Sequence, residues 1–264
     1  MQPGIVTLTT DFGIEGPYVA AVKGVILSRA PGVQIVDVTH RIAPQNILEG
    51  AFVLAEVVEV FPPGTVHLAV VDPGVGTDRR LLAISVAEQW FVLPDNGLIS
   101  AVARGRRPSS IWEISNPAIC RSEISNTFHG RDILAPAAAH LLLGRDPAEL
   151  GPARTSFISH RNFEATQSES GVTGEVVFRD AFGNLITNIA VRQLSDLPPE
   201  NWTVEIADTP IKGLVRTYGD RPTGTLIALI GSGGWLEVAV VNGDAARQLT
   251  VGPGTTVWVK RARD

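Results

Sequence analysis

The sequence predicts an α/β protein with two domains, an N-terminal α/β/α domain with a mostly parallel sheet and a C-terminal all-β barrel or sandwich domain. Over the first 145 residues, short β-branched runs alternate with helical patterns, which is typical of βαβ units. From residue 172 onward only short strand-like runs occur, separated by turn residues. A polar stretch without apolar periodicity, residues 165–171, lies between the two patterns. We therefore expect domains at residues 1–164 and 172–264.

The elements of the first domain follow from apolar patterning and from proline and glycine boundaries. Strands are predicted at residues 5–9, 33–38, 65–71, 81–87, 90–93 and 110–114. Helices are predicted at residues 18–29, 45–61 and 131–143. The first two helices carry broad apolar faces and fit crossover connections, whereas the strands at 81–87 and 90–93 fit a hairpin.

The second domain contains strand-like runs of five to seven residues bounded by turn residues. Strands are predicted at residues 172–178, 185–190, 202–206, 225–230, 236–241 and 255–260. No helical pattern separates them, so we expect an antiparallel barrel or sandwich.

Composition limits the classes of function. Of 264 residues, 44% are hydrophobic and 19% charged, which is typical of a globular protein. The net charge of −5 gives no reason to expect nucleic acid or an anionic membrane as a partner. A single cysteine, Cys120, excludes an intramolecular disulfide, and the five histidines show no metal-binding spacing, so we expect no metal. Without a secretory or membrane-spanning pattern, we expect a cytoplasmic protein.

Candidate site residues follow the strands, because ligands of open α/β sheets bind beyond the carboxyl ends of the strands. Asp11 follows the first strand and could accept hydrogen bonds from a vicinal diol, or could cap a turn. Asp72 follows the third strand within a turn sequence, and Arg79 and Arg80 follow it closely. The turn alone explains the glycines, but an arginine beside Asp72 could form a charged pocket. Arg80 is expected to be the more solvated arginine.

Further candidates are His129, which directly precedes a helical pattern, and two loops of the second domain. His129 could be catalytic or could be a structural residue at a helix start. The loops at residues 179–184 and 231–237 place an aromatic residue beside amide, hydroxyl and carboxylate groups. Such groups suit a purine and an amino-acid zwitterion, although the same loops could be simple hairpin turns.

These motifs as a set resemble the S-adenosyl-L-methionine hydroxide adenosyltransferase family, which is related to fluorinating and chlorinating enzymes. The resemblance covers nearly the whole chain. Its motifs lie at residues 9–13 (TTDFG), 36–40 (VDVTH), 44–45, 70–76 (VVDPGVG), 127–132 (TFHGRD), 180–184 and 231–237. The family implies hydrolysis of S-adenosyl-L-methionine by attack of water or hydroxide at the ribose C5′, giving adenosine and L-methionine, without a cofactor.

The resemblance also assigns roles to residues. Asp72, Arg79 and His129 correspond to the Asp-Arg-His triad of the family, and Asp11 to the ribose ligand. The remaining substrate contacts implied are Phe182 and Asn184 to adenine, and Asp180, Ser232 and Glu237 to the methionine end, with Trp235 in the same motif. The family further implies a homotrimer that holds the substrate between the α/β domain of one subunit and the β domain of the next.

The choice of nucleophile depends on two positions. The fluorinating relatives carry a tyrosine where this chain has Asp72 and a serine where it has Gly130, so two hydroxyls of a halide pocket are missing. Water is therefore the expected nucleophile, and either His129 or Asp72 could take its proton. The alternatives are a chloride-dependent adenosyltransferase and a non-catalytic module that binds S-adenosylmethionine or adenosine.

Overall fold

The structure is a computed structural model that describes residues 4–160, 163–194 and 198–261. The chain divides into two compact units, Met1–His160 and Arg161–Asp264. Each unit has its own hydrophobic core. None of the helices in the described ranges has the length and apolar composition needed to cross a bilayer.

The first unit is built on a six-stranded sheet. Its strands are β1 (Ile5–Thr10), β2 (Gln34–Thr39), β3 (Val66–Val70), β4 (Leu81–Val86), β5 (Gln89–Pro94) and β6 (Ser110–Glu113), in the order β2-β1-β3-β5-β4-β6. The pairs β1–β2, β1–β3 and β3–β5 are parallel, and β4 runs antiparallel to both of its neighbours. The predicted mostly parallel sheet and the predicted hairpin are confirmed.

Helices cover both faces of this sheet. They are α1 (Tyr18–Arg29), α2 (Ile47–Val58), α3 (Ser100–Ala103) and α4 (Ala135–Leu142), the last preceded by a π-helical turn at Gly130–Leu134. One apolar cluster joins the sheet to α1 and α4, and another joins it to α2 and α3. The helix α2 begins two residues later than predicted because Gln45 has a left-handed φ of 66°, and Asn46 caps the helix by accepting a hydrogen bond from the Glu49 amide at 3.1 Å. The short α3 was not predicted.

The parallel pairing of β1 with β3 positions the candidate site. Thr10 and Val70, the last residues of these strands, are direct partners in the register. The Asp11 amide also donates to the Val70 carbonyl at 3.4 Å. The residues that follow the two strands therefore start from neighbouring points on one edge of the sheet.

The second unit is an antiparallel sheet of eight strands. They are β7 (Thr166–Ser168), β8 (Gly171–Arg179), β9 (Leu185–Ala190), β10 (Trp202–Ile206), β11 (Thr209–Lys212), β12 (Leu226–Ile230), β13 (Trp235–Val240) and β14 (Thr256–Arg261). The order is β11-β10-β14-β8-β9-β13-β12, with β7 on β8. All six predicted strands are present. No strand was predicted in the polar stretch 165–171, but β7 lies within it and pairs with β8. The strand β11 and the short helix α5 (Ala245–Leu249) were also missed.

Candidate active site

Asp72 and Arg79 form a bidentate ion pair at the ends of two strands. Asp72 lies two residues after β3, and Arg79 lies two residues before β4. The Arg79 Nε donates to the two carboxylate oxygens of Asp72 at 2.7 and 2.9 Å, and Nη2 donates to Oδ2. The Arg79 side chain is only 9% exposed and the Asp72 side chain only 6%. Such charge-assisted hydrogen bonds fix the orientation of both groups.

Two glycines allow the loop between these residues to fold back on itself. Gly76 has a φ of 80°, and a Cβ there would lie 2.6 Å from the Asn126 carbonyl oxygen. A Cβ on Gly74 would lie 3.1 Å from Cδ of Arg79. Only glycine therefore fits at position 76. The loop thus returns Arg79 to Asp72 and packs closely against the segment that leads to His129.

His129 is the third member of this cluster. The Arg79 Nη2 donates to the His129 Nδ1 at 3.1 Å. A guanidinium group has only donors, so Nδ1 must accept and the neutral ring carries its proton on Nε2. Burial, followed by the charge of Arg79, lowers the pKa of His129 below 6.5, although Asp72 and Asp132 act in the opposite direction. At neutral pH the His129 ring is uncharged, with Nε2–H as a donor.

Asp132 anchors the π-helical turn that begins directly after His129. Its fully buried carboxylate accepts from the Arg131 Nε at 2.7 Å, from the Arg121 Nη1 at 3.0 Å and from the Ser125 amide at 2.9 Å. Burial alone would raise the pKa of Asp132, but the hydrogen bonds from Arg131 and Ser125 and the charges of both arginines lower it below its usual value. Asp132 thereby holds residues before His129, at Arg121 and Ser125, and the residue Arg131 after it.

Asp11 shares a cavity with the cluster. The cavity has a volume of about 260 Å³, and its lining includes Asp11, Phe12, Asp72, Phe128 and His129. The Asp11 Oδ2 accepts a hydrogen bond from the Gln45 amide at 2.9 Å. The four residues predicted for the first domain therefore lie together. Among the described residues, no three His, Cys, Asp or Glu side chains are grouped as metal ligands.

In the second unit, Asp180, Phe182 and Asn184 form the turn between β8 and β9. The Asp180 Oδ1 accepts from the amides of Phe182 and Asn184, both at 2.9 Å, and Oδ2 accepts from the Asn184 Nδ2 at 2.8 Å. Asn184 is buried, whereas the Phe182 ring is 79% exposed within the chain. The turn therefore presents an aromatic ring at the surface above a fixed amide.

Glu237 lies next to this turn and has a partner that the sequence did not reveal. The Tyr218 hydroxyl donates to the Glu237 Oε2 at 2.7 Å. Burial raises the pKa of Glu237, and the charge of Asp180 acts in the same direction. A Cβ on Gly231 would lie 1.6 Å from the Glu237 Oε1, so this carboxylate occupies space that only glycine leaves open. Burial and Glu237 together raise the pKa of Tyr218.

The two other predicted contacts differ in exposure. Ser232 is exposed in the turn between β12 and β13. Trp235 is only 7% exposed, and its ring packs edge-to-face against Phe163 with 6.0 Å between centroids. Most of the Trp235 indole is therefore part of the packed interior, and only an edge of it could reach a ligand.

Comparison with known families accounts for this combination of motifs. The N-terminal domain model of the SAM hydroxide adenosyltransferases matches residues 6–151, and their C-terminal domain model matches residues 174–258. This chain belongs to the SAM hydroxide adenosyltransferase family. The resemblance inferred from the sequence motifs is thereby confirmed.

Individual members of the SAM hydroxide adenosyltransferase family are similar over almost the full chain. An (R)-S-adenosyl-L-methionine hydrolase of Salinispora arenicola is 40% identical, covering 96% of this chain and 97% of the relative. One of Thermus thermophilus is 39% identical, covering 97% and 99%. The crystal structure of an uncharacterized conserved protein from Thermotoga maritima superimposes with a TM-score of 0.89 at 36% identity, covering 97% and 100%. The two-domain α/β fold is thus shared with a solved protein structure.

Two side-chain pairs of this SAM hydroxide adenosyltransferase were not predicted. Arg80 is the more exposed of the two arginines, as predicted, with 32% of its side chain exposed against 9% for Arg79. Its ion pair was not predicted: the Arg80 Nε donates to the buried Asp95 at 2.8 Å. Neither Asp95 nor Tyr218 was singled out from the sequence. Arg80 and Asp95 face each other at the open end of the β4–β5 hairpin, so the predicted hairpin was a signal for that pair. Tyr218 and Glu237 lie on segments that no predicted hairpin joins, so no local pattern indicated them.

Proposed function

We propose that this protein hydrolyses S-adenosyl-L-methionine to adenosine and L-methionine by attack of water at the ribose C5′. The observation that carries the proposal is Arg79, which binds Asp72 and His129 simultaneously beside a cavity that also contains Asp11. The chain belongs to the family, and relatives that it matches over almost their whole length are named for this activity.

The chemistry requires activation of the nucleophile more than of the leaving group. The sulfonium leaves as a neutral thioether, whereas water, with a pKa of about 15.7, is a poor nucleophile. We assign proton acceptance to the Asp72 carboxylate, because the Nδ1 of His129 already accepts from Arg79 and its Nε2 carries a proton. The Nε2–H of His129 and the Arg79 cation then stabilise the developing hydroxide.

The proposed step balances in atoms and charge. The water oxygen bonds to C5′, the C5′–S bond breaks, and its electron pair neutralises the sulfonium. One water proton goes to Asp72 and the other remains on the 5′-hydroxyl of adenosine. In-line placement of the oxygen about 3–3.5 Å from C5′ supplies a further part of the rate. No metal or redox cofactor takes part in this step.

The remaining predicted residues are assigned to the substrate. Asp11 accepts from the ribose hydroxyls, and Phe182 stacks on adenine. Because the Asn184 amide nitrogen donates to Asp180, we assign its carbonyl oxygen to the adenine amino group. The methionine end is assigned to Asp180, Ser232 and Glu237, with Trp235 bordering the same region.

The proposed substrate is the R epimer at sulfur, because relatives that are 40% and 39% identical carry that epimer in their names. Purified R and S epimers, assayed separately for adenosine by chromatography, test this. A preference for the S epimer would contradict the stereochemical part of the proposal and leave the hydrolysis itself intact.

The central test is hydrolysis in ¹⁸O-labelled water. We expect the label in the 5′-hydroxyl of adenosine and none in methionine. Label in methionine, or no turnover, would contradict the proposal. A parallel reaction at high chloride tests for 5′-chloro-5′-deoxyadenosine, and unchanged activity in EDTA is expected for a metal-independent reaction. Binding without turnover would instead identify a sensor or storage module.

We also propose a homotrimer in which the substrate lies between the α/β domain of one subunit and the β domain of the next, working in the cytoplasm, where S-adenosylmethionine is made. Light scattering tests the mass. Mixing inactive Asp72→Ala with inactive Asn184→Ala subunits should restore activity only if each site takes residues from two copies. Cell fractionation tests the compartment.

A further inference from the structure

The imidazole of His40 lies behind the turn that carries Asp11 and is not explained by the chemistry above. His40 directly follows β2 and is only 8% exposed. We propose that His40 is a positioning residue that holds the Asp11–Gly13 turn so that the Asp11 carboxylate can bind the ribose hydroxyls. This inference rests on the proposed function, since it assumes a ribose-containing substrate.

The first contact runs through the hydroxyl of Thr10. Its Oγ1 accepts a hydrogen bond from the Phe12 amide at 3.3 Å and lies 2.8 Å from the His40 Nδ1. Thr10 is 2% exposed, so water does not compete for these groups. Because the hydroxyl accepts from Phe12, its own proton can be donated to Nδ1. The ring thereby holds the backbone amide of the residue after Asp11.

The second contact comes from the backbone of His40. Its carbonyl accepts from the Gly13 amide at 2.8 Å, and Gly13 has a left-handed φ of 74°. The turn is thus attached to His40 at Phe12 through the ring and at Gly13 through the carbonyl. Asp11 lies between Thr10 and Phe12, so its backbone position depends on both contacts.

The far side of the ring faces an acidic group. The His40 Nε2 lies 3.1 Å from the Asp37 Oδ1, without the alignment of a hydrogen bond, and the Asp37 Oδ2 binds Lys23 at 2.6 Å. The carboxylate favours a proton on Nε2. Nδ1 is then left as the acceptor for Thr10, which is the tautomer that the first contact needs.

Two substitutions separate the functions of the two ring nitrogens. In His40→Asn the amide lies near the position of Nδ1 and can still bind Thr10. In His40→Gln it lies near the position of Nε2 and loses that contact. Both remove the ring, so both leave a similar void. Thr10→Val removes the hydroxyl alone and is nearly isosteric, and it tests the same contact if a His40 variant does not fold.

The experiment compares kcat and KM for S-adenosylmethionine and for its 2′,3′-dideoxyribose analogue. Binding by Asp11 is shared by ground and transition state, so its loss raises KM more than it lowers kcat. We expect KM to rise about tenfold in His40→Gln and Thr10→Val, which corresponds to about 1.4 kcal/mol, and clearly less in His40→Asn. With the analogue, the KM of each variant should be close to the KM of the wild-type protein.

Equal values of KM in His40→Asn and His40→Gln, or equal ratios for substrate and analogue, would overturn the assignment of His40. A double variant with Asp11→Asn adds a second criterion, since His40→Gln should then have little further effect. The absence of adenosine formation by the wild-type protein would instead contradict the proposed function, so the two failures are distinguishable.

Discussion

Two neighbouring arginines, Arg79 and Arg80, form similar ion pairs with different consequences. Arg79 pairs with Asp72 and also with His129 at the cavity. Arg80 pairs with Asp95, whose other oxygen accepts from the Ile158 amide at 2.6 Å. Both carboxylates are buried, although the Arg80 side chain is 32% exposed and the Arg79 side chain only 9%. The difference lies in the third partner, an imidazole at a cavity in one case and backbone in the other.

The largest expected effect separates the two carboxylates. Asp72→Asn should lower kcat about 10³-fold, because the proton acceptor is lost while the shape is kept. Asp95→Asn is the matched control and should keep kcat near that of the wild type. Steady-state formation of adenosine measures both. Similar losses of kcat in the two variants would mean that the pairs do not differ in function.

The ion pair of Arg80 with Asp95 should matter for stability and not for catalysis. Arg80→Met leaves the carboxylate of Asp95 buried without its cation, so we expect the free energy of unfolding to fall by about 3 kcal/mol. Urea denaturation followed by fluorescence gives the value, and kcat per folded molecule should hardly change. A loss of kcat without a loss of stability would place Arg80 in the catalytic cluster.

Two histidines extend the comparison to pH. Since burial and Arg79 lower the pKa of His129, its neutral form should persist below pH 6.5. Activity that requires the neutral ring should then decline only below that pH. NMR titration of the ring measures the pKa directly, and Arg79→Gln should raise it. A wild-type pKa above 6.5 would contradict the geometry of the cluster.

The second histidine, His67, lies within the sheet. Its Nδ1 and Nε2 bond to Thr7 and Gln89, both at 2.7 Å, and burial lowers its pKa. Below pH 6.5 the unfolded chain takes up a proton that the folded chain resists, so this contribution to stability is lost as the pH falls. At pH 7.5 the free energy of unfolding of His67→Phe should be about 2 kcal/mol lower than that of the wild type. On acidification to pH 5.5, the free energy of unfolding should fall less in the variant than in the wild type. Urea titrations at both values decide this.

The smallest expected effect concerns Gly130, where the family resemblance implies a serine in the fluorinating relatives. A Cβ there would lie 3.3 Å from Phe12 and 3.4 Å from Val70, so Gly130→Ser should cost about 1 kcal/mol through crowding. We expect a reduction of kcat by less than tenfold and no chlorinated product, because Asp72 still occupies the nucleophile side. Chlorinated adenosine at high chloride would show that one hydroxyl suffices to bind halide.

The fold could be largely predicted from the sequence because its strands and helices have strong local periodicity. The helix Tyr18–Arg29 was predicted with its observed bounds. Asp72 and Arg79 could be selected because both lie in one short loop at a strand end. Asp95 as the partner of Arg80 was missed although the two residues face each other at the open end of the predicted hairpin, where the Asp95 amide donates to the Arg80 carbonyl at 2.9 Å. Tyr218 as the partner of Glu237 and His40 behind Asp11 could not be predicted from local patterns, because these contacts join segments that no predicted hairpin pairs.

The close approach of Gly76 to Asn126 joins the loop that ends at Arg79 to the segment that ends at His129. An insertion in either loop would separate the guanidinium from the imidazole. We therefore expect new chemistry on this scaffold to arise by exchange of side chains at constant loop length, and engineering for other nucleophiles should keep both lengths unchanged.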